Sequence, residues 1–169
     1  MTAAAAELSD SLVGFRKELR WRVVTRTLGF VQRMSRLGYR PDPRGDDWPI
    51  LGELLAGGRD DCDGWELLNF ALLRDAGFAQ QEIYRAILRR RDGPGDPGPR
   101  AGATSGERYH MVTLWFRDGD ASDPFVLDPT AELARNPTRF SRLRDWEPVR
   151  LFDESRQFQA RRLGEDTTR

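Results

Sequence analysis

The chain has 169 residues, enough for one well-buried core and too few to demand two. Its 27 basic and 27 acidic side chains cancel to a formal net charge of zero, which removes the long-range field that nucleic-acid and anionic-membrane binding usually rest on; neither DNA nor RNA is expected as a partner. A single cysteine cannot cross-link the fold, and no apolar run approaches the roughly 18–20 residues of a membrane span, so no membrane insertion is expected.

The first ten residues hold an alanine run but neither a basic nor a strongly apolar segment of the kind a secretory leader needs. The chain as written is therefore expected to be cytoplasmic, or periplasmic if a leader has been removed. From Leu8 to Leu37 apolar residues recur at helical intervals, which predicts one long helix, or two broken near Gly29, covering the core. Gly38 is placed to cap its end, and Pro41 and Pro43 prevent it from resuming. A short helix is expected over 49–56, with Pro49 in its first turn and Gly57-Gly58 ending it.

Asp60 or Asp61 is a good N-cap for a third helix that runs to about Ala76 and closes at Gly77. That helix is apolar on nearly all sides and should lie at the centre of the domain. Residues 81–90 alternate as a strand does, although so short a run also admits a helix, and 91–106 are dense in glycine and proline and read as a surface loop near the site. Tyr109–Phe116 is the clearest strand, Phe125–Asp128 returns as another that Pro129 ends, and a further strand is expected near 149–152. Helices first and strands later give an α+β domain, a central helix against an antiparallel sheet. The division is one domain over 1–169: a helical region at 1–38, a core at 39–160 and a frayed tail at 161–169.

Three residues carry the chemistry. Cys62 falls in the first turn of the central helix, the single histidine, His110, lies on the clearest strand, and Asp128 ends the neighbouring one. Thiol, imidazole and carboxylate in that order are the parts of a nucleophile, its base and its orienter. A thiol with pKa near 8.5 is mostly protonated at neutral pH, and an adjoining imidazolium is the device that lowers it most, to roughly 3–4 in strong ion pairs. Asp60, Asp61 and Asp63 oppose a thiolate, so some of them must cap the helix, point away or be neutralised by Arg59 or a cation. The backbone N–H of Cys62 is a natural oxyanion donor, and Trp48 is a candidate for lining the cleft, although a plain core tryptophan is the commoner case. Taken singly, a lone cysteine is more often an inert buried side chain, and a lone histidine more often structural. Zinc on Cys62, His110 and Asp128 would have fewer Cys and His ligands than zinc normally recruits.

The ordered set Asp46-Asp47-Trp48-Pro49, Asp61-Cys62-Asp63, Leu72-Leu73-Arg74-Asp75-Ala76-Gly77, His110-Met111-Val112 and Val126-Leu127-Asp128 resembles the bacterial transglutaminase-like cysteine proteinases. The likeness implies a papain-like, transglutaminase-like α+β fold with Cys62 as nucleophile, His110 as general base and then acid, and Asp128 as orienter. It implies hydrolysis of a peptide or amide bond in a protein or peptide substrate through a thioester, with no required cofactor. An acyltransferase using an amine acceptor, or a non-catalytic binding module on the same fold, are the alternatives. Well-studied members are periplasmic, calcium-dependent proteases of cell-surface adhesins, and Asp61 and Asp63 match their calcium-binding positions. Gly64 stands where those carry another acid, so weak calcium binding or none is expected, and the oligomeric state is not indicated.

Overall fold

A computed structural model describes residues 2–41, 48–91, 109–117, 122–154 and 156–159. The predicted loop at 91–106, Arg91 apart, and the expected frayed tail lie outside the described residues. Three helices precede the sheet: α1 (Ala3–Gly38), α2 (Leu51–Gly57) and α3 (Cys62–Asp75). Strands β1 (Ile83–Arg90), β2 (Tyr109–Trp115), β3 (Phe125–Leu127), β4 (Thr138–Arg139), β5 (Trp146–Phe152) and β6 (Gln157–Gln159) form one sheet in the order β4-β3-β2-β1-β5-β6. Every neighbouring pair is antiparallel. The α+β architecture expected from the sequence is the one observed, with α3 laid against β2 and β1.

α1 is a single helix, unbroken at Gly29, because nothing there requires a positive φ or meets a clash that would open the backbone. Gly38 does not cap it in a left-handed conformation; it is the last helical residue. Its role is close approach: a Cβ there would lie 2.2 Å from the Gly58 carbonyl oxygen and 2.7 Å from the Trp65 ring. α2 starts at Leu51, two residues later than expected, with Pro49 outside it and Glu53 reaching back to the Ile50 amide. Gly58, at φ +63°, supplies the left-handed end, and Gly77, at φ +84°, does the same after α3.

The core lies on both faces of the sheet. Val24 and Leu28 of α1 meet Phe70 and Leu73 of α3 and Trp115 of β2 on the helical side. On the other side Val112, Leu114 and Val126 pack beneath Leu133, Phe140 and Trp146. This two-sided burial explains why β2 is buried at almost every position, in keeping with a sequence that is mostly apolar on both faces. β5 spans seven residues rather than the four expected, because pairing with β1 carries the ladder back to Trp146 across a bulge.

Candidate active site

α1 positions the residues in front of the central helix. Where it ends, the Arg40 amide donates to the Asp60 carbonyl (2.8 Å) and the Asp60 amide donates to Gly38 (3.1 Å), so the chain before α3 is tied to the end of α1. The buried Trp65 indole donates to the same Asp60 carbonyl at 3.0 Å. Asp61 is the N-cap, its carboxylate accepting from the Asp63 amide at 3.1 Å, and Cys62 is the first helical residue. The Cys62 N–H therefore belongs to the first-turn donors that have no acceptor within the helix.

β2 and β3 bring the other two residues together. Their register sets Thr113 opposite Leu127, so the chain beyond β3 turns beside the start of β2. Asp128, immediately after Leu127, receives His110 Nε2 at 3.0 Å. Both side chains are buried. The carboxylate is held on every side: it accepts from the Thr130 amide (3.0 Å) and hydroxyl (3.0 Å), the Leu133 amide (2.5 Å) and the Ala134 amide (3.2 Å). Desolvation would push Asp128 up, but His110 and these amides outweigh it and hold the carboxyl below its usual range.

Nε2 faces Asp128 and the Thr130 hydroxyl, which leaves Nδ1 for the thiol. Burial on its own would lower the His110 pKa; hydrogen bonds to Asp128 and Cys62, and the charges of both, override it and raise the imidazole to about 10. The Trp146 ring stands edge-on to the imidazole with centroids 6.3 Å apart, and the exposed Glu132 carboxylate lies 3.5 Å from Nδ1. The structure thus gathers Cys62, His110 and Asp128, the three residues singled out in the sequence.

The aspartates that crowd the thiol are arranged as caps and a cluster. Asp60 accepts from the Asp61 amide at 2.8 Å, and Asp61 caps the helix. Asp63 is buried, and among the described residues neither of its carboxylate oxygens has a hydrogen-bond donor. Burial first, then the adjoining Asp61 carboxylate and the charges of Asp61 and Asp60, raise Asp63 to about 9. Oxygens of Asp60, Asp61 and Asp63 all lie within 4.8 Å of one another. Asp60 was not among the sequence-predicted ligands. Its side chain fills the space over Gly64, where a Cβ would lie 2.4 Å from Asp60 Cγ, so the missing acid at Gly64 is what admits the acid at Asp60.

Sequence reasoning missed two further groups. Glu66, one turn into α3, is fully buried, paired with Arg85 of β1 at 2.5 Å and accepting from the Thr113 hydroxyl at 2.9 Å; Asn69 donates to that hydroxyl at 2.9 Å. Arg85 also donates to the Asp63 carbonyl (3.2 Å) and lies over the Trp48 ring, which packs edge-on against Phe152; Trp48 is 40% exposed and so is not a core residue. The second group is on α1, where Gln32 donates to the Asp128 carbonyl (2.8 Å) and Ser35 to the Pro129 carbonyl (3.0 Å). An isolated glutamate amid apolar residues and a polar pair one turn apart on a helix were the available signals.

No family model matches the sequence, and no curated protein matches it significantly in sequence. Among solved structures the chain is similar to Legionella pneumophila LapG in its calcium-bound form, at 20% identity over 86% of this chain and 74% of that one, with a TM-score of 0.62. An EGTA-treated form of the same protein matches at 19% identity over 82% and 68% of the two chains, TM-score 0.62. A third LapG structure matches at 20% identity over 81% and 69%, TM-score 0.60. The likeness establishes the papain-like, transglutaminase-like fold.

Proposed function

We propose that the chain is a cysteine peptidase that hydrolyses a peptide or amide bond of a protein substrate. The observation that carries this reading is the position of His110, bonded through Nε2 to a buried, fully satisfied carboxylate and in contact with the Cys62 thiol on its other side. In this scheme the thiol proton resides on His110, and the Cys62 thiolate attacks the substrate carbonyl carbon. The tetrahedral oxyanion is met by the Cys62 N–H at the start of α3. His110 then gives its proton to the leaving amine as the C–N bond breaks, which leaves a thioester on Cys62. A water that loses a proton to His110 attacks the thioester, the acid departs, and the thiol is restored. Asp128 keeps the ring in one tautomer and orientation throughout.

Three carboxylates fit a hard divalent cation such as calcium, which takes oxygen ligands. The fit rests on Asp63, whose two buried oxygens lack donors and whose charge is disfavoured by Asp60 and Asp61. Asp60, Asp61 and Asp63 would hold the ion. It would neutralise the acids beside Cys62 and fix the segment that caps α3.

The reading requires that Cys62→Ala abolish all hydrolysis of a responsive protein substrate, and that iodoacetamide alkylate Cys62 rapidly well below pH 8 in the parent but not in His110→Ala. A thiol that titrates near 8.5 with or without the histidine would overturn it.

A further inference from the structure

Glu132 stands beside the proposed base and has no part in the steps assigned above. Its carboxylate lies 3.5 Å from Nδ1 of His110, while Asp128 and Thr130 meet Nε2 on the other side of the ring. The loop between β3 and β4 holds it there. The amides of Thr130, Leu133 and Ala134, on both sides of Glu132, converge on the Asp128 carboxylate, and the Ala131 amide donates to the Asp128 carbonyl at 3.3 Å. Ala131 sits at φ +61°, the one positive φ among the described non-glycine residues, a conformation that an L side chain takes only when its surroundings impose it. Asp128 already orients the imidazole, so that task does not call for a second carboxylate. Glu66, Glu82, Glu147 and Glu154 are each paired with an arginine, whereas among the described residues the one ion pair of Glu132 is with His110. Its side chain is 58% exposed, so an incoming molecule can reach it.

We propose that Glu132 selects substrates that carry a basic side chain, lysine or arginine, on the first residue of the amine side of the cleaved bond. The inference rests on the peptidase reading and deepens it. His110 gives its Nδ1 proton to the leaving nitrogen, so that nitrogen must come to Nδ1 as the C–N bond breaks. The residue built on that nitrogen then lies beside the group that adjoins Nδ1, which is Glu132. A carboxylate there attracts an ammonium or guanidinium and repels an acidic side chain. An arginine can bridge it with two parallel N–H···O bonds. The Cys62–His110 ion pair is neutral as a unit, and Asp60 and Asp61 before α3 carry the same sign as Glu132, so the field at the site favours a cation.

Cys62 is the chain's one cysteine, so thiol reagents report on this site alone. Its rates of modification by aminoethyl methanethiosulfonate, a cation, and by sulfonatoethyl methanethiosulfonate, an anion, are to be compared at neutral pH and low salt in the parent, Glu132→Gln and Glu132→Lys. Any change in thiolate content alters both rates alike, and the charges of Asp60 and Asp61 are common to all three proteins, so the readout is the cation-to-anion rate ratio. That ratio should fall at least about fivefold in Glu132→Gln, the effect of one charge at about 4 Å through water, and further in Glu132→Lys. Short peptides with lysine as the first residue of the amine side, randomised elsewhere, should be cut faster by the parent than the matching glutamate set, and Glu132→Lys should reverse that order. A ratio unmoved in both variants overturns the proposal, as does equal cleavage of the two peptide sets. The two failures are distinct: a slow, ordinary thiol in the parent overturns the peptidase reading and this inference with it, whereas a fast thiol with an unmoved ratio overturns this inference alone.

Discussion

Replacing Arg85 by methionine tests how the centre of the domain is held. Glu66 is fully buried, and Arg85 is its counter-charge at 2.5 Å; with Arg85 gone, among the described residues only the Thr113 hydroxyl still donates to the carboxylate. Removing one partner of a buried pair costs about 3–5 kcal/mol, because the survivor is left charged without compensation. Thr113 remains and Arg85 is 17% exposed, so the lower end, about 3 kcal/mol, is expected. For a chain of this size that corresponds to a fall in Tm of about 6–12 °C. Burial already pushes Glu66 above its ordinary value of 4.5, with Arg85 and Thr113 opposing. In Arg85→Met the opposition from arginine is lost, so the folded pKa rises further. The sign follows: the penalty is absent below the unfolded pKa and grows as pH rises through the folded one. Urea unfolding at about pH 5 and pH 7.5 should therefore show the variant closer to the parent at the lower pH, and Glu66→Leu/Arg85→Met should recover much of the loss. A loss under 1 kcal/mol with no pH dependence would refute this account of the pair.

Three other outcomes follow from the site. His110 is raised from an ordinary 6.5 to about 10, so its contribution to stability is complete below about pH 6.5 and is lost as pH rises through 10; the difference in urea stability between parent and His110→Ala should be smaller at about pH 9 than at pH 6, and a flat difference would argue against the ion pair. Gly64→Ala must displace Asp60, whose Cγ would lie 2.4 Å from the new carbon; an overpacking cost of about 1–3 kcal/mol is expected, together with weaker stabilisation by added calcium in thermal melts. An unchanged calcium response would remove Asp60 from the ligand set. Gln32→Ala strips the Asp128 carbonyl of its 2.8 Å donor, which should cost about 1–3 kcal/mol and slow alkylation of Cys62; loss of stability with unchanged alkylation would confine Gln32 to a packing role.

The long helix, the cap at Asp61, the left-handed glycines and the strand pair carrying His110 and Asp128 were legible because each is fixed by local rules. Helical period, N-cap chemistry and positive φ act within a few residues, and β2 announces itself as a short run of aromatic and apolar residues. The errors came where contacts distant in sequence decide. Gly38 reads as a cap but is required by Trp65 and Gly58, and the reading of Gly64 as a lost acid stands but omits the room it makes for Asp60. Both depend on which chain segments approach the Cα, and spacing carries no record of that.

By itself, then, the sequence determined the order of elements, the helix start that presents Cys62, and the identity of the residues able to act as thiol, base and carboxylate. Only the tertiary structure decided how those residues are held. The Asp128 carbonyl bonds to Gln32 of α1, Glu66 finds its counter-charge on β1, and the three aspartates converge because the end of α1 bridges to Asp60. Buried polar groups must find partners wherever the fold supplies them, and a polar residue's sequence neighbours do not say which element that will be.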